Sequence, residues 1–194
     1  SPMGVFQSLY EPGAKRRWSI PKESDVVECK VAAIDPFFLE ATEAVTELCI
    51  KHKKPYVTID CRHDSRLHQH AAINVVSKEC TGSDAYKGKS LEEIYELMAS
   101  NTDGLVIITS GEKDMIYGRK GQSPKRMKPF SVEVKSTLGA GDTFKAGCVY
   151  GLLKGFSDDQ IVRFASACSA IAISRFPLPL NPPTMDEVQK LLDS

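Results

Sequence analysis

The sequence predicts an α/β domain built on a largely parallel sheet. From about Val26 onward, short β-branched runs alternate with segments whose apolar residues recur at helical spacing. The run Leu105 to Thr109 has the character of a strand buried on both faces. Near the end, Thr143 to Lys154 and the segment after Ser157 hold long helical periods. Such alternation implies parallel strands joined by helical crossovers, with helices on both sheet faces.

Taken in order, residues 1–24 carry Pro2, Pro12, Gly13 and Pro21 around a basic cluster, Lys15 to Arg17, with no clean period. They read as a connecting or edge segment, the cluster as a solvated turn and Trp18 as a satellite core residue or a ligand contact. Lys30 to Ile34 is the first strand. Asp35-Pro36 signals a helix start, with Asp35 as N-cap and Pro36 in the first turn. Phe38, Ala41, Val45, Leu48 and Cys49 continue the period. Tyr56 to Asp60 and Ile73 to Ser77 are strands two and three. Ser90 and Glu93 form a capping box for a helix through Met98. Leu105 to Thr109 is the fourth strand. Met115 to Lys120 and Lys125 to Lys135 read as more exposed strands. Ser157 with Gln160 caps the helix carrying Ile161, Phe164, Ala165, Cys168, Ile171 and Ala172. Pro177, Pro179, Pro182 and Pro183 forbid helix, and Thr184 with Glu187 caps a last short one.

The 194 residues carry no net formal charge, which gives no electrostatic case for nucleic acid or an anionic membrane. No apolar run approaches a membrane span, and no secretory signal opens the chain. Ser1-Pro2-Met3-Gly4 reads as a junction or an internal cut. The cysteines show no Cys-x-x-Cys pairing and read as reduced thiols of a cytoplasmic protein.

Ligands of such sheets bind outside the carboxyl ends of the strands. That rule gathers Asp35, Asp60 with Arg62, Ser77 to Cys80, and Thr109 to Glu112 on one rim with a glycine turn, Thr137-Leu138-Gly139-Ala140-Gly141-Asp142-Thr143-Phe144. The turn follows the strand-like run Ser131 to Lys135 and opens a helix, so unpaired amides and the positive end of the helix dipole share one spot. This is an anion site. A carboxylate there, Asp142, would repel phosphate unless it has another task, and accepting a proton from an attacking hydroxyl is that task.

The run from Ser136 to Phe144 closely resembles the second signature of the ribokinase/PfkB family of carbohydrate kinases, with Ser136 where the family usually has Asp. The resemblance spans about Val26 to Leu192 and implies a ribokinase-like three-layer α/β/α fold. It makes residues 25–194 the nucleotide-binding catalytic domain, lacking the family's amino-terminal portion with its Gly-Gly-Asn stretch and most of the acceptor pocket. It implies ATP as phosphoryl donor, Mg2+ as cofactor and a small sugar or sugar-like alcohol as acceptor. Asp142 matches the catalytic base, and Gly139, Ala140 and Gly141 the anion hole. Thr109, Ser110, Gly111 and Glu112 match the turn lining the nucleotide. Ser166 and Ser169 lie on the helix bordering adenine.

In place of the family's Asn-x-x-Glu metal motif, Lys78 and Thr81 stand at the Asn and Glu positions, which leaves Glu79 as the local carboxylate for a metal held through water. Ser77-Lys78-Glu79 resembles ketohexokinase-like members, which leans toward a ketose. Phe176 to Pro179 replaces a Gly-Ala stretch that helps bind a monovalent cation. A nucleoside or other small-alcohol kinase, or a non-catalytic nucleotide-binding protein, stays open, as does a homodimer. His63, His68 and His70 with Asp64 match no zinc spacing and read as a polar surface segment.

Overall fold

The computed structural model describes residues 19–194; Trp18, the basic cluster and most of the expected connector lie outside the described residues. The elements run α1 (Glu23–Glu28), β1 (Ala32–Ile34), α2 (Glu40–Lys51), β2 (Tyr56–Ile59), α3 (Arg66–Gln69), β3 (Ile73–Val76), α4 (Lys78–Thr81), α5 (Leu91–Ser100), β4 (Leu105–Ser110), β5 (Lys113–Gly118), β6 (Lys125–Met127), α6 (Ala140–Lys154), α7 (Asp158–Ile173) and α8 (Met185–Leu192). The six strands form one sheet in sequence order. β1 to β4 are parallel and β4, β5 and β6 antiparallel.

Strand alternation divides the core into two layers. Val57, Ile59, Ile73, Val75, Leu105 and Ile107 meet Phe144 and Cys148 of α6 and Ile161, Val162 and Ala165 of α7. Val76, Val106 and Ile108 meet Ile94, Tyr95 and Met98 of α5 on the opposite face. Each fully buried aliphatic side chain contributes about 1.5–3 kcal/mol. α6 and α7 approach closely because Gly147 has no side chain: a Cβ there would stand 2.7 Å from the Ala165 Cα. The capping boxes at Ser90, Ser157 and Thr184 form as the sequence implies.

The structure departs from the sequence reading at several places. β5, read as one of the more exposed strands, buries Met115, Ile116 and Tyr117 because it lies inside the sheet between β4 and β6. α1 forms where no helix is predicted, with the Lys22 amide donating to the Asp25 carboxylate at 3.0 Å. The helix expected from Pro36 is a 3-10 turn (Pro36–Phe38) that breaks at Leu39, φ 47°, before α2 begins. The Thr42 hydroxyl bridges this break, donating to the Asp35 carbonyl at 2.6 Å and accepting from the Phe38 amide at 3.2 Å. Asp35 makes no side-chain cap there.

The strand expected over Lys125 to Lys135 stops at Met127. Pro129 has no donor for the ladder. The chain instead crosses to the end of α7, where the Lys135 and Ser136 amides donate to the Ile173 carbonyl at 2.8 and 3.2 Å. Finally, His68 is buried rather than on the surface. Its Nε2–H donates to the Met98 carbonyl at 2.9 Å, which leaves Nδ1 to accept from the Asn74 amide at 2.8 Å. Asn74 Oδ1 then has no partner among the described residues.

All six cysteines are free. Burial pushes the Cys49, Cys80 and Cys168 thiols up to about 11 and Cys61 to about 12. These four are protonated small hydrophobes, far from thiolate reactivity.

Candidate functional site

The strand order places Asp35, Asp60, Ser77 and Thr109 at the carboxyl ends of four adjacent strands. At the usual strand spacing that rim is about 15 Å long. α6 packs over β1, β2 and β3 and begins on the rim.

The turn into α6 depends on Gly139, which takes φ 81° as the helix N-cap, a conformation that costs other residues about 1–2 kcal/mol. The Ala140 amide turns back onto the Thr137 carbonyl at 3.1 Å, and the Thr143 amide closes onto the Gly139 carbonyl at 2.9 Å. The amides of Gly139, Gly141 and Asp142 have no acceptor among the described residues. Of the proposed anion hole, Ala140 is therefore engaged, while Gly139 and Gly141 stay available together with Asp142. Two serines fix the loop: Ser169 of α7 donates to the Ala140 carbonyl at 3.1 Å, and Ser136 accepts from the Leu138 amide at 3.3 Å.

The Asp142 side chain is 76% exposed in the first turn of α6. One turn on, Lys145 is buried, its side chain only 9% exposed. It bonds the Asp35 carboxylate and lies 3.7 Å from Asp142. Asp35 thus serves as the partner of a lysine 110 residues away.

Asp60 ends β2 with φ 52°. Its carboxylate accepts from the Ser77 amide at 2.7 Å and the Ser77 hydroxyl at 3.1 Å. Ser77 in turn caps α4, accepting from the Cys80 amide at 3.2 Å. Asp60 therefore holds the turn that carries Lys78 and Glu79. Burial raises the Asp60 carboxyl above the usual range against the opposing pull of the Ser77 bonds, and the charges of Glu79 and Asp142 add to the rise. Arg62 pairs with Asp64 rather than with Asp60.

Thr109 and Ser110 end β4, and Gly111-Glu112 closes the tight turn into β5. Gly111 takes φ 64° at the first central position, where two-residue hairpins favour glycine. The Thr109 hydroxyl donates to the Val76 carbonyl at 3.4 Å, tying this turn to β3. Ser166 is buried within α7, away from the exposed loop, whereas Ser169 reaches it.

Among the described residues no group of three His, Cys, Asp or Glu is placed to cage a metal. The rim does offer hard oxygen donors on separate elements, and Mg2+ that keeps its waters and substrate phosphates needs only one or two carboxylates. Glu79 lies on α4, just past the end of β3, and is exposed.

Beside Asp142 an apolar groove of about 490 Å³ runs between α6, α7 and α8, past Tyr150, Phe164 and Met185. Its walls hold almost nothing that could bind phosphate. Lys145 gave one overlooked signal in the sequence. It lies beside Phe144 and three residues before Cys148, on a buried stripe, where a lysine requires a carboxylate partner.

A family model described as "pfkB family carbohydrate kinase" matches residues 14–178. A ribokinase of Haemophilus influenzae is 38% identical over 88 residues, 45% of this chain and 28% of that protein. A 5-dehydro-2-deoxygluconokinase of Shouchella clausii is 30% identical over 103 residues, 53% of this chain and 31% of that protein. The structure of an Arabidopsis thaliana ribokinase complexed with ribose and ATP superposes with a TM-score of 0.77 at 20% identity, over 93% of this chain and 62% of that one. The chain thus matches under a third of the length of either curated relative and about three-fifths of the solved one.

Proposed function

Because this chain belongs to the pfkB family of carbohydrate kinases, we propose that the complete protein transfers the terminal phosphoryl group of ATP to a hydroxyl of a sugar or related polyol. The observation that carries this reading is the start of α6. Free amides of Gly139, Gly141 and Asp142 and the helix dipole converge there with an exposed carboxylate.

In the reaction Asp142 takes the hydroxyl proton as the acceptor oxygen bonds to the γ-phosphorus and the bond to ADP breaks. The amides hold the charge that spreads over the equatorial oxygens, and being fixed by the turn they need no reorganisation. The Thr109–Glu112 turn lines the nucleotide. Ser169 acts through the loop it braces, and Ser166 shapes the helix beside the base. Mg2+ on the phosphates would neutralise their charge, with Glu79 holding it through water. Residues 25–194 supply the nucleotide half, and most of the acceptor pocket comes from chain that the relatives have beyond this match.

The test is Asp142→Asn in the complete protein, assayed with ATP against a panel of ketoses, pentoses and nucleosides. Turnover falls by about 100-fold or more, while ATP binding by calorimetry persists. Near-normal turnover would remove Asp142 from the role of base. ATP binding by the unaltered protein with no transfer to any acceptor would make it a nucleotide-binding protein without this chemistry.

A further inference from the structure

We infer that Lys145 is a positioning residue: it ties the end of β1 to the catalytic helix and holds the Asp142 carboxylate toward the mouth of the site. The inference rests on the kinase reading of Asp142 for its effect on turnover, but its structural core is independent of that reading.

Lys145 is the one buried lysine among the described residues. A buried ammonium is costly unless it is paired and hydrogen-bonded. Here the Asp35 carboxylate bonds it from the end of β1, and Asp142 stands 3.7 Å away from the preceding turn of the same helix. One partner is inward and the other outward: the Asp35 side chain is 25% exposed and the Asp142 side chain 76%. An exposed aspartate alone would sample its rotamers freely. Next to a lysine that Asp35 holds in place, it is drawn to one side of the mouth.

The surrounding charge gives the arrangement its purpose. Asp35 from β1, Asp60 from β2, Glu79 from α4 and Asp142 from α6 put carboxylates on or near one rim. A phosphate-bearing ligand must approach them. Lys145 is the buried cation that offsets this charge. It has no route to touch phosphate while Asp35 holds it, so it acts through Asp142.

The experiment compares Lys145→Met, Lys145→Arg and the double variant Asp35→Asn with Lys145→Met in the complete protein. Lys145→Met alone strands Asp35 and lowers stability. The double variant removes both charges and returns the unfolding midpoint to near that of the unaltered protein. A purely structural tie would then return kcat as well. A positioning role instead leaves kcat of the double variant down by about 100-fold, as for other misplacements of reacting groups, with KM for ATP within about twofold. Lys145→Arg, which keeps the charge, retains most of the activity. Recovery of kcat together with stability in the double variant overturns the inference.

A second readout needs no acceptor. Three-bond NMR couplings of Asp142 report one χ1 rotamer in the unaltered protein and averaging in the Lys145→Met and double variants. The same single rotamer in all three overturns the inference. If the unaltered protein transfers phosphate to no alcohol, the kinase reading fails, and the rotamer measurement alone decides the role of Lys145.

Discussion

Replacing Gly139 and Gly141 separately by alanine should give different results, a clear loss of stability at Gly139 and little change at Gly141, although the two glycines are only two residues apart. Gly139 takes φ 81°, which costs an alanine about 1–2 kcal/mol. Its new Cβ would also stand 2.7 Å from Leu178 Cδ2. That atom is the end of a flexible side chain, and moving it off its rotamer costs about 0.5–1.5 kcal/mol. The sum is about 2 kcal/mol, which lowers Tm by about 4–8 °C for a protein of this size.

Gly141 lies inside the first turn of α6 with ordinary helical backbone, and its Cβ would meet only Ile59 Cδ1, at 3.1 Å. Alanine there gains up to about 1 kcal/mol of helix propensity, set against a shift of a few tenths of an ångström in Ile59. Thermal unfolding followed by circular dichroism reads both variants, and calorimetry reads their ATP affinity. Gly139→Ala loses stability and ATP affinity together, because the free amides move with the turn. Gly141→Ala unfolds within about 2 °C of the unaltered protein. Equal midpoints for the two would refute the claim that the left-handed backbone and the approach of Leu178 together require glycine at position 139 but not at 141.

Asp60→Asn should stabilise the protein at neutral pH. Burial raises the Asp60 carboxyl in the folded state, so its contribution is fully present below the unfolded pKa and is lost as pH rises through the folded one. The asparagine variant should therefore lead in Tm at pH 7, with the gap closing as pH falls into the carboxylate range; a gap that widens on acidification contradicts this. His68 works the other way. Burial lowers its pKa, so protonation favours the unfolded chain, and stability falls as pH drops below about 6.5. Urea midpoints between pH 7 and 5 should slope downward, and His68→Gln should flatten that slope; an unchanged slope in the variant assigns it to another group. Ser169→Ala removes the bond to the Ala140 carbonyl, about 1 kcal/mol. It should lower Tm by about 2–4 °C and weaken ATP binding in calorimetry, and unchanged affinity would show that the loop holds itself.

Much of the fold was legible because its signals are local. The boxes at Ser90, Ser157 and Thr184 each place donor and acceptor three residues apart, and all three form. Strands β2, β3 and β4 were legible because burial on both faces leaves an apolar run between turn residues. The segment after Met127 misled for a physical reason. Phe130, Val132 and Val134 alternate as a strand would, but Pro129 interrupts the ladder, and Phe130 packs instead with the cluster around Phe164 of α7. Alternation alone does not show that a strand lies beside the chain, nor that its apolar side is buried throughout, since Val134 is exposed.

The site divides along the same line. Its backbone part was readable, since a left-handed turn at the start of a helix calls for glycine, and Gly139 stands there. Its position was readable from topology, since parallel strands in sequence order bring their ends onto one rim. The side-chain pairings were not. Asp35-Pro36 carries every local mark of an N-cap, yet the Asp35 carboxylate is taken by Lys145, which lies 110 residues on. Asp60 and Ser77 likewise pair across 17 residues. Ion pairs between separate elements leave no period in the sequence, and only the misfit of a charged residue on an apolar stripe points to them. By that criterion Lys145, on the buried face of α6, marks where the rim's charge is balanced.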